Sequence, residues 1–323
     1  MRAAQRQRGV SLVELLVSLA IGVILIGGAL GVYINGRATY TLNETIARMQ
    51  ENASFALKYL ERDIQLAGLW GSHNEVGAVD GRALSNPIGG LPANDCNNNW
   101  SIQLTLYMEG ANNTRPAGWT CIDAAQYMPE TDVLAVRRVE PTPVATAALQ
   151  AGQMYLRSSL APRGQVFIGA AEPGGFAANA RNYPLIARAY YVSNDSLGGS
   201  ALAPVPALRM IELVDGGAAP TLRDTEIVAG VENLQVQFGI RPTAGPTGAV
   251  AYVNADSALL APGAGNTIVS ARVWILVRSE TPEAGFEDDA TYTMGDVIFT
   301  PPENVRDHRR LLVTRTIDIR NRT

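Results

Sequence analysis

Residues 10–34 read VSLVELLVSLAIGVILIGGALGVYI and hold a single charged side chain, Glu14. At roughly 1.5 Å per residue, a helix of this run is about 37 Å long, enough to cross a hydrocarbon core of about 30 Å with some tilt. Few folds can hide such a run. A buried helix of a soluble core rarely extends so far at a chain end without a break. A secretory signal peptide has a shorter apolar region and a small-residue cleavage site on its far side, whereas this run passes into a further helical pattern. Arg2, Arg6 and Arg8 precede it without an acid, Arg37 is the next basic residue, and the whole chain carries a formal charge of −4. Arginines before the span and an acidic remainder after it place the amino terminus in the cytoplasm and the body outside. A plain anchor leaves Glu14 unexplained, because an ionisable residue inside a bilayer is costly and marks function by default.

The helical pattern continues past the span. Ile46, Met49, Ala53, Leu57, Leu60, Ile64 and Ala67 recur at spacings of three and four, forming one stripe. Glu44, Arg48, Glu51, Lys58, Glu61, Arg62 and Asp63 fall between them and are expected to face water. No proline interrupts residues 10–67, and Gly68 suits a position just past a helix end. The pattern predicts one long helix, apolar in its first half and amphipathic in its second. The polar half is too short for the sustained heptads of a coiled coil. Gly22, Gly27, Gly28 and Gly31 weaken the apolar half as a helix, and glycine is frequent in membrane helices, where it permits close packing.

After Trp70 the texture changes to short alternating apolar runs divided by Gly, Pro, Asn and Asp. Residues 102–108, 133–139, 185–192, 207–214, 231–240, 268–278 and 311–320 read as strands. The clearest is 233–240, where Leu234, Val236, Phe238 and Ile240 alternate with Asn233, Gln235, Gln237 and Gly239. Ala271, Val273, Ile275 and Val277 repeat that logic, as expected of an antiparallel sheet with one face on a core. Residues 74–100, 140–150, 172–183 and 243–265 read as long polar connections. The amphipathic stripe is the natural partner for one sheet face, which makes the fold class α+β.

The opening segment resembles a known family. Residues 9–17, GVSLVELLV, look like the leader junction and amino-terminal segment of type IV prepilins and of type II secretion pseudopilins. The resemblance implies that Gly9 precedes the cut of a prepilin peptidase, that Val10 becomes the N-methylated terminus, and that Glu14 is the acid used in assembly. Val10 departs from the phenylalanine or methionine commoner there. Residues 227–239 (IVAGVENLQVQFG), 269–279 (VSARVWILVRS) and 309–321 (RRLLVTRTIDIRN) are similar to the carboxy-terminal part of PilW-type minor pilins, relatives of the J-type minor pseudopilins. The implied fold is pilin-like. It divides into a leader at 1–9, a transmembrane and assembly half-helix at 10–35, an amphipathic half at 36–68 and a periplasmic β-rich domain at 69–323.

The resemblance further implies a non-enzymatic subunit of the inner membrane, and later of the fibre or its tip. Its partners would be the prepilin peptidase, other minor and major pilins and the inner-membrane assembly machinery. It would act in pilus initiation, supporting twitching motility, with adhesion or DNA uptake by the body as a further role. A minor pseudopilin of type II secretion is the alternative, and the length of the body suits the pilus version better.

The remaining chemistry is sparse. Cys96 and Cys121 are the only cysteines, and outside the cytoplasm they are expected to pair, closing a loop worth about 3–4 kcal/mol. No histidine or third cysteine lies near enough to make them a metal pair. His73 and His308 have no nucleophile or ligand at recognisable spacing, and no hydrolase, phosphate-loop or dinucleotide motif occurs. No cofactor is expected. Glu283, Glu287, Asp288 and Asp289 form an acidic run; a solvated loop is the first reading, and oxygen ligands for calcium the second. Arg306, Arg309, Arg310, Arg315, Arg320 and Arg322 crowd the end of the chain, but Asp307 and Asp318 dilute them. A solvent-facing edge strand explains the arginines better than nucleic acid does.

Overall fold

The structure is a computed structural model that describes residues 11–83, 87–96, 99–161, 163–196, 204–243 and 251–321. Gly9, Val10 and Arg322 lie outside the described residues. The chain divides after Arg48 into two compact units.

A single helix, α1 (Leu12–Gln65), contains both halves of the predicted pattern. Its last turn ends as expected of a left-handed cap: Gly68 adopts φ 72° and its N–H donates to the Arg137 carbonyl at 3.0 Å. Within the second unit the stripe is buried at Met49, Ala53, Ala56, Leu57, Leu60 and Ile64, and Ala67 beyond the helix end is buried too. Ile46 is half-buried. Asp63, expected on the wet face, is instead buried among them. It stands three residues after Leu60 and four before Ala67, so helical geometry puts it on the same side.

The remainder of the second unit is β-rich. An eight-stranded sheet is built from β1 (Val79–Asp80), β2 (Met108–Ala111), β3 (Val133–Val139), β4 (Met154–Ser159), β5 (Arg163–Ile168), β6 (Arg181–Ser193), β7 (Ala207–Asp215) and β8 (Pro220–Ala229). Its order is β1-β5-β4-β6-β3-β2, with β7 joined to β6 and β8 to β7. Every pair is antiparallel except β1 with β5. The 13-residue β6 is the hub. It pairs with β4 through residues 181–184, with β3 through 185–190 and with β7 through 188–193.

A second, antiparallel sheet runs β10-β9-β11-β14, from β9 (Val231–Pro242), β10 (Ala251–Asn254), β11 (Asn266–Arg278) and β14 (Arg310–Asp318). Its core follows the predicted alternation: Phe238, Val236 and Leu234 stand opposite Ala271, Val273 and Ile275, all buried. The other face of β9 is covered as well, because Asn233 and Gln235 are buried and donate to the Glu130 carbonyl. β14 lies at the sheet's edge, as the arginine-rich terminus suggested. A hairpin of β12 (Tyr292–Met294) and β13 (Val297–Phe299) completes the elements.

Residues 102–108 do not form the expected strand. A 3-10 turn at Trp100–Ile102 leads into further turns, and only Met108 onward pairs with β3. The cause is Arg137, fully buried, whose guanidinium takes the Trp100 carbonyl at 2.6 Å and the Leu106 carbonyl at 2.7 Å. Carbonyls held by a side chain are lost to a neighbouring strand. β1, β4, β5, β8, β10, β12 and β13 were not expected; β1 lies inside the connection at 74–100 and β10 inside that at 243–265.

Candidate functional site: the amino-terminal helix

In the first unit, α1 presents its apolar residues outward. Leu12, Val13, Leu15, Leu16, Val17, Leu19, Ile21, Val23, Ile24, Leu25 and Ile26 are all more than half exposed, as are Leu30, Val32, Tyr33 and Ile34. An added Cβ at Gly22, Gly27, Gly28, Gly31 or Gly36 would meet nothing. Such a surface is stable only in lipid or against other apolar helices. Glu14 sits in the first helical turn, where the helix dipole favours an anion, and no cation pairs with it among the described residues. Arg37, the next basic residue, is six turns further on, at 3.6 residues per turn of about 5.4 Å each.

In the second unit the helix end is fastened by charge. Asp63, 1% exposed, accepts from Arg138 Nη2 at 2.8 Å and Nε at 3.0 Å, from Arg188 Nη1 at 3.2 Å, and from the Tyr190 hydroxyl. Arg138 lies on β3, and Arg188 and Tyr190 on β6. Burial alone works against a charge on Asp63, but Arg188, Arg138 and Tyr190 together outweigh it and hold the carboxyl below its usual range. Burial, reinforced by the Asp63 charge, pushes the Tyr190 hydroxyl far up, so it donates as a neutral phenol. The network extends outward through Arg138 to Glu140 and through Arg188 to Glu212, which Arg223 also meets at 2.6 Å. The same helix end reaches the other sheet, where Arg315 of β14 meets Glu61 at 2.7 Å and the Arg320 N–H donates to the Gln65 carbonyl at 3.0 Å. Sequence reasoning missed this fastening. The signal was an acid spaced as a stripe residue, with two arginines inside apolar strands.

The other predicted residues fall as follows. Cys96 and Cys121 form a disulfide with Cα atoms 4.6 Å apart, beside the edge-to-face pair Trp100 and Trp119. The acidic run is tied to arginines: Glu283 to Arg309 at 2.5 Å, Asp288 to Arg310 at 3.2 Å, and Asp289 to Arg306 at 3.6 Å. Among the described residues no group of three or more His, Cys, Asp and Glu side chains could hold a metal ion.

His308 lies beside Ser279 and Asp307, yet the three do not make a hydrolytic set. His308 Nδ1 donates to the Ser279 carbonyl at 2.7 Å, so it has no lone pair for the serine, whose hydroxyl donates to the Thr281 carbonyl at 2.9 Å. His73, the other histidine, accepts the Glu75 N–H at its Nδ1, 3.1 Å away. Among the described carboxyl-terminal arginines, Arg306, Arg309, Arg310 and Arg315 are each paired with an acid.

A membrane-length helix that begins at an acid and ends keyed into an antiparallel β-body defines a pilin-type subunit. Residues 4–30 match the prokaryotic N-terminal methylation motif, and residues 189–321 match the type IV pilus-assembly protein W family. The second match spans about two fifths of the chain, and together the two support a type IV minor pilin of the PilW family. No curated protein and no solved structure matches it. The methylation motif and the apolar helix mark a membrane-anchored pilin, and the family points to a structural, non-catalytic role among other pilins and the pilus assembly machinery.

Proposed function

We propose that this protein helps to initiate and assemble a type IV pilus, in support of twitching motility. In this reading the prepilin peptidase cuts between Gly9 and Val10 on the cytoplasmic side of the inner membrane, and the new Val10 amine is methylated. The β-rich body stands in the periplasm. Before assembly, lipid solvates residues 12–34; on extraction, equivalent segments of neighbouring subunits replace it. The observation that carries the reading is Glu14, an acid with no cation beside it among the described residues, on an apolar half-helix whose large side chains are exposed.

An acid in that place gains most from a cation delivered by another molecule at the same depth. A neighbour's freshly cut terminal amine is such a cation, and pairing in a low-dielectric bundle would also set the axial register between subunits. Cutting removes three arginines and moves the formal charge from −4 to −7 before the new terminus is counted. Amino-terminal sequencing of the membrane-bound mature protein should begin at Val10. Deletion of the gene should reduce piliation and twitching while leaving type II secretion intact. A start at Met1, or a secretion defect with normal pili, would overturn the reading.

A further inference from the structure

The second unit holds a cleft of about 510 Å³ that the pilin mechanism does not use. Its walls are unusually rich in proline: Pro129, Pro204, Pro206, Pro282 and Pro302, with Phe299. These rigid apolar surfaces suit the methylene stem of a long side chain. The polar groups around them are acceptors. Glu130 and Glu280 line the cleft, are exposed, and pair with no cation among the described residues. Asp307 has a buried Oδ1 without a hydrogen-bond partner.

The most telling group is His308, 9% exposed. Its Nδ1 donates to the Ser279 carbonyl at 2.7 Å, which fixes the tautomer and leaves the lone pair on Nε2. That nitrogen stands 3.7 Å from Asp307 Oδ1, an acceptor facing an acceptor beyond hydrogen-bonding distance. An incoming group with two N–H donors would reach His308 Nε2 and the open side of Asp307, whose side chain is 49% exposed. Burial, with Arg278 adding to it, lowers the His308 pKa, so the ring is neutral at neutral pH and supplies no proton of its own. Arg278 also lines the cleft but is engaged, meeting Glu232 at 3.3 Å and the Pro204 carbonyl at 3.0 Å. Glu232 in turn is held by Arg310 at 2.6 Å. Beside these engaged groups the lining carries three more carboxylates: Asp307, which feels the Arg278 charge, and Glu130 and Glu280, which have no ion-pair partner among the described residues.

From this geometry we infer that the cleft is a docking site for an arginine- or lysine-bearing loop of a neighbouring pilin subunit. The basic head group would donate to His308 Nε2 and Asp307, Glu130 and Glu280 would flank it, and its stem would lie on the prolines. An arginine fits better than a lysine, because a planar guanidinium can donate to two acceptors at once. The identity of the partner rests on the pilin reading; the chemistry of the cleft does not.

The test therefore has two arms. The full chain in detergent, with its histidines isotopically labelled at Cε1, is titrated with N-acetyl-arginine amide, and with N-acetyl-norleucine amide as the uncharged stem. The chain has two histidines, so a His73→Gln variant assigns the His308 signal. The arginine amide should shift that signal saturably, with affinity at least fivefold weaker in Glu130→Gln/Glu280→Gln, while norleucine amide leaves it in place. The absence of a saturable shift, an equal shift with norleucine, or undiminished affinity in the double variant would each refute the cleft's chemistry. In the second arm, Glu130→Lys/Glu280→Lys is compared with the wild type in sheared pili and in membranes. Incorporation should fall severalfold at unchanged membrane level; unchanged incorporation would refute a pilin as occupant. If the wild type itself is missing from pili, the parent reading fails while the titration still judges the cleft.

Discussion

Replacing Asp63 with alanine tests whether the helix end is held by charge or merely packed. The wild-type carboxylate is buried and answers two guanidinium groups and a phenol. Its removal leaves Arg138, 1% exposed, with Glu140 as its remaining carboxylate at 3.1 Å, and leaves Arg188 with Glu212 at 3.4 Å. Breaking a buried pair by deleting one partner costs roughly 3–5 kcal/mol, because the surviving charge stays desolvated. For a body of this size each kcal/mol moves the melting temperature by about 2–4 °C, so a drop on the order of 10 °C is expected.

The assay is thermal unfolding of the full chain in detergent, followed by circular dichroism. Glu44→Ala is the control: it breaks an ion pair to Arg48 whose side chains are 46% and 70% exposed, and should shift the melt by under about 2 °C. The pH dependence gives a second handle. The folded carboxyl of Asp63 titrates below its unfolded value of 3.8, so its stabilisation is present above that value and disappears as pH falls through the folded pKa. Wild type should therefore lose more stability than Asp63→Ala on acidification below about pH 4. A melt within 2 °C of wild type, or parallel acid profiles, would show that apolar packing alone holds the helix end.

Other outcomes are equally open to measurement. Glu14→Ala should insert and be processed normally, since a central acid disfavours insertion by roughly 2.5–3.5 kcal/mol, but should enter pili poorly, with Glu14→Gln intermediate; wild-type incorporation in a piliation assay would remove the acid's assembly role. Cys96→Ser should cost about 3 kcal/mol in chemical denaturation, and mass spectrometry of unreduced protein should find no free thiol in the wild type. Asp132 is buried, accepts the Asn113 and Val236 N–H groups, and has its carboxyl pushed up to about 7 by burial, with the charges of Asp296 and Asp256 adding to it. Its folded form holds the proton that the unfolded form has already lost between about pH 4 and pH 7, so stability should decline as pH rises across that window. Asp132→Asn should flatten the decline; an unchanged slope would contradict it.

The sequence made the helix and the second sheet plain, because each rests on one clean period. The stripe from Met49 to Ala67 and the alternation in β9 and β11 can be read without knowing any contact. The first sheet was half legible. β8 mixes Thr221, Arg223 and Asp224 with few apolar residues, since its long pairing with β7 stabilises it more than burial does. The turn of this hairpin runs through Asp215-Gly216-Gly217, where Asp215 Oδ1 accepts the Gly217 N–H at 2.7 Å. Residues 102–108 misled for the opposite reason: they have the apolar content of a strand, but Arg137, distant in sequence, takes the carbonyl of Leu106 within them and that of Trp100 just before them. Asp63, Arg138 and Arg188 were overlooked on similar grounds. A charge reads as solvated until its partners are known, and these partners lie 75 and 125 residues away.

The three-way pairing of β6 has a practical consequence for building hybrids. The family match begins at Ala189, inside this strand, so the strand's earlier residues and its partners β4 and β3 come from the preceding segment, while β7 follows. The four-stranded sheet falls wholly within the matched residues and could be moved without cutting a ladder, though Tyr107, Glu130 and Asp132 of the preceding segment bond to its strands. The eight-stranded sheet could not, because a junction at residue 189 would cut its hub in the middle of a hydrogen-bonded ladder. A chimaera that exchanges the segment before β6 must therefore bring all of β6 with it, and the residues it carries must keep Arg188 and Tyr190 in reach of Asp63.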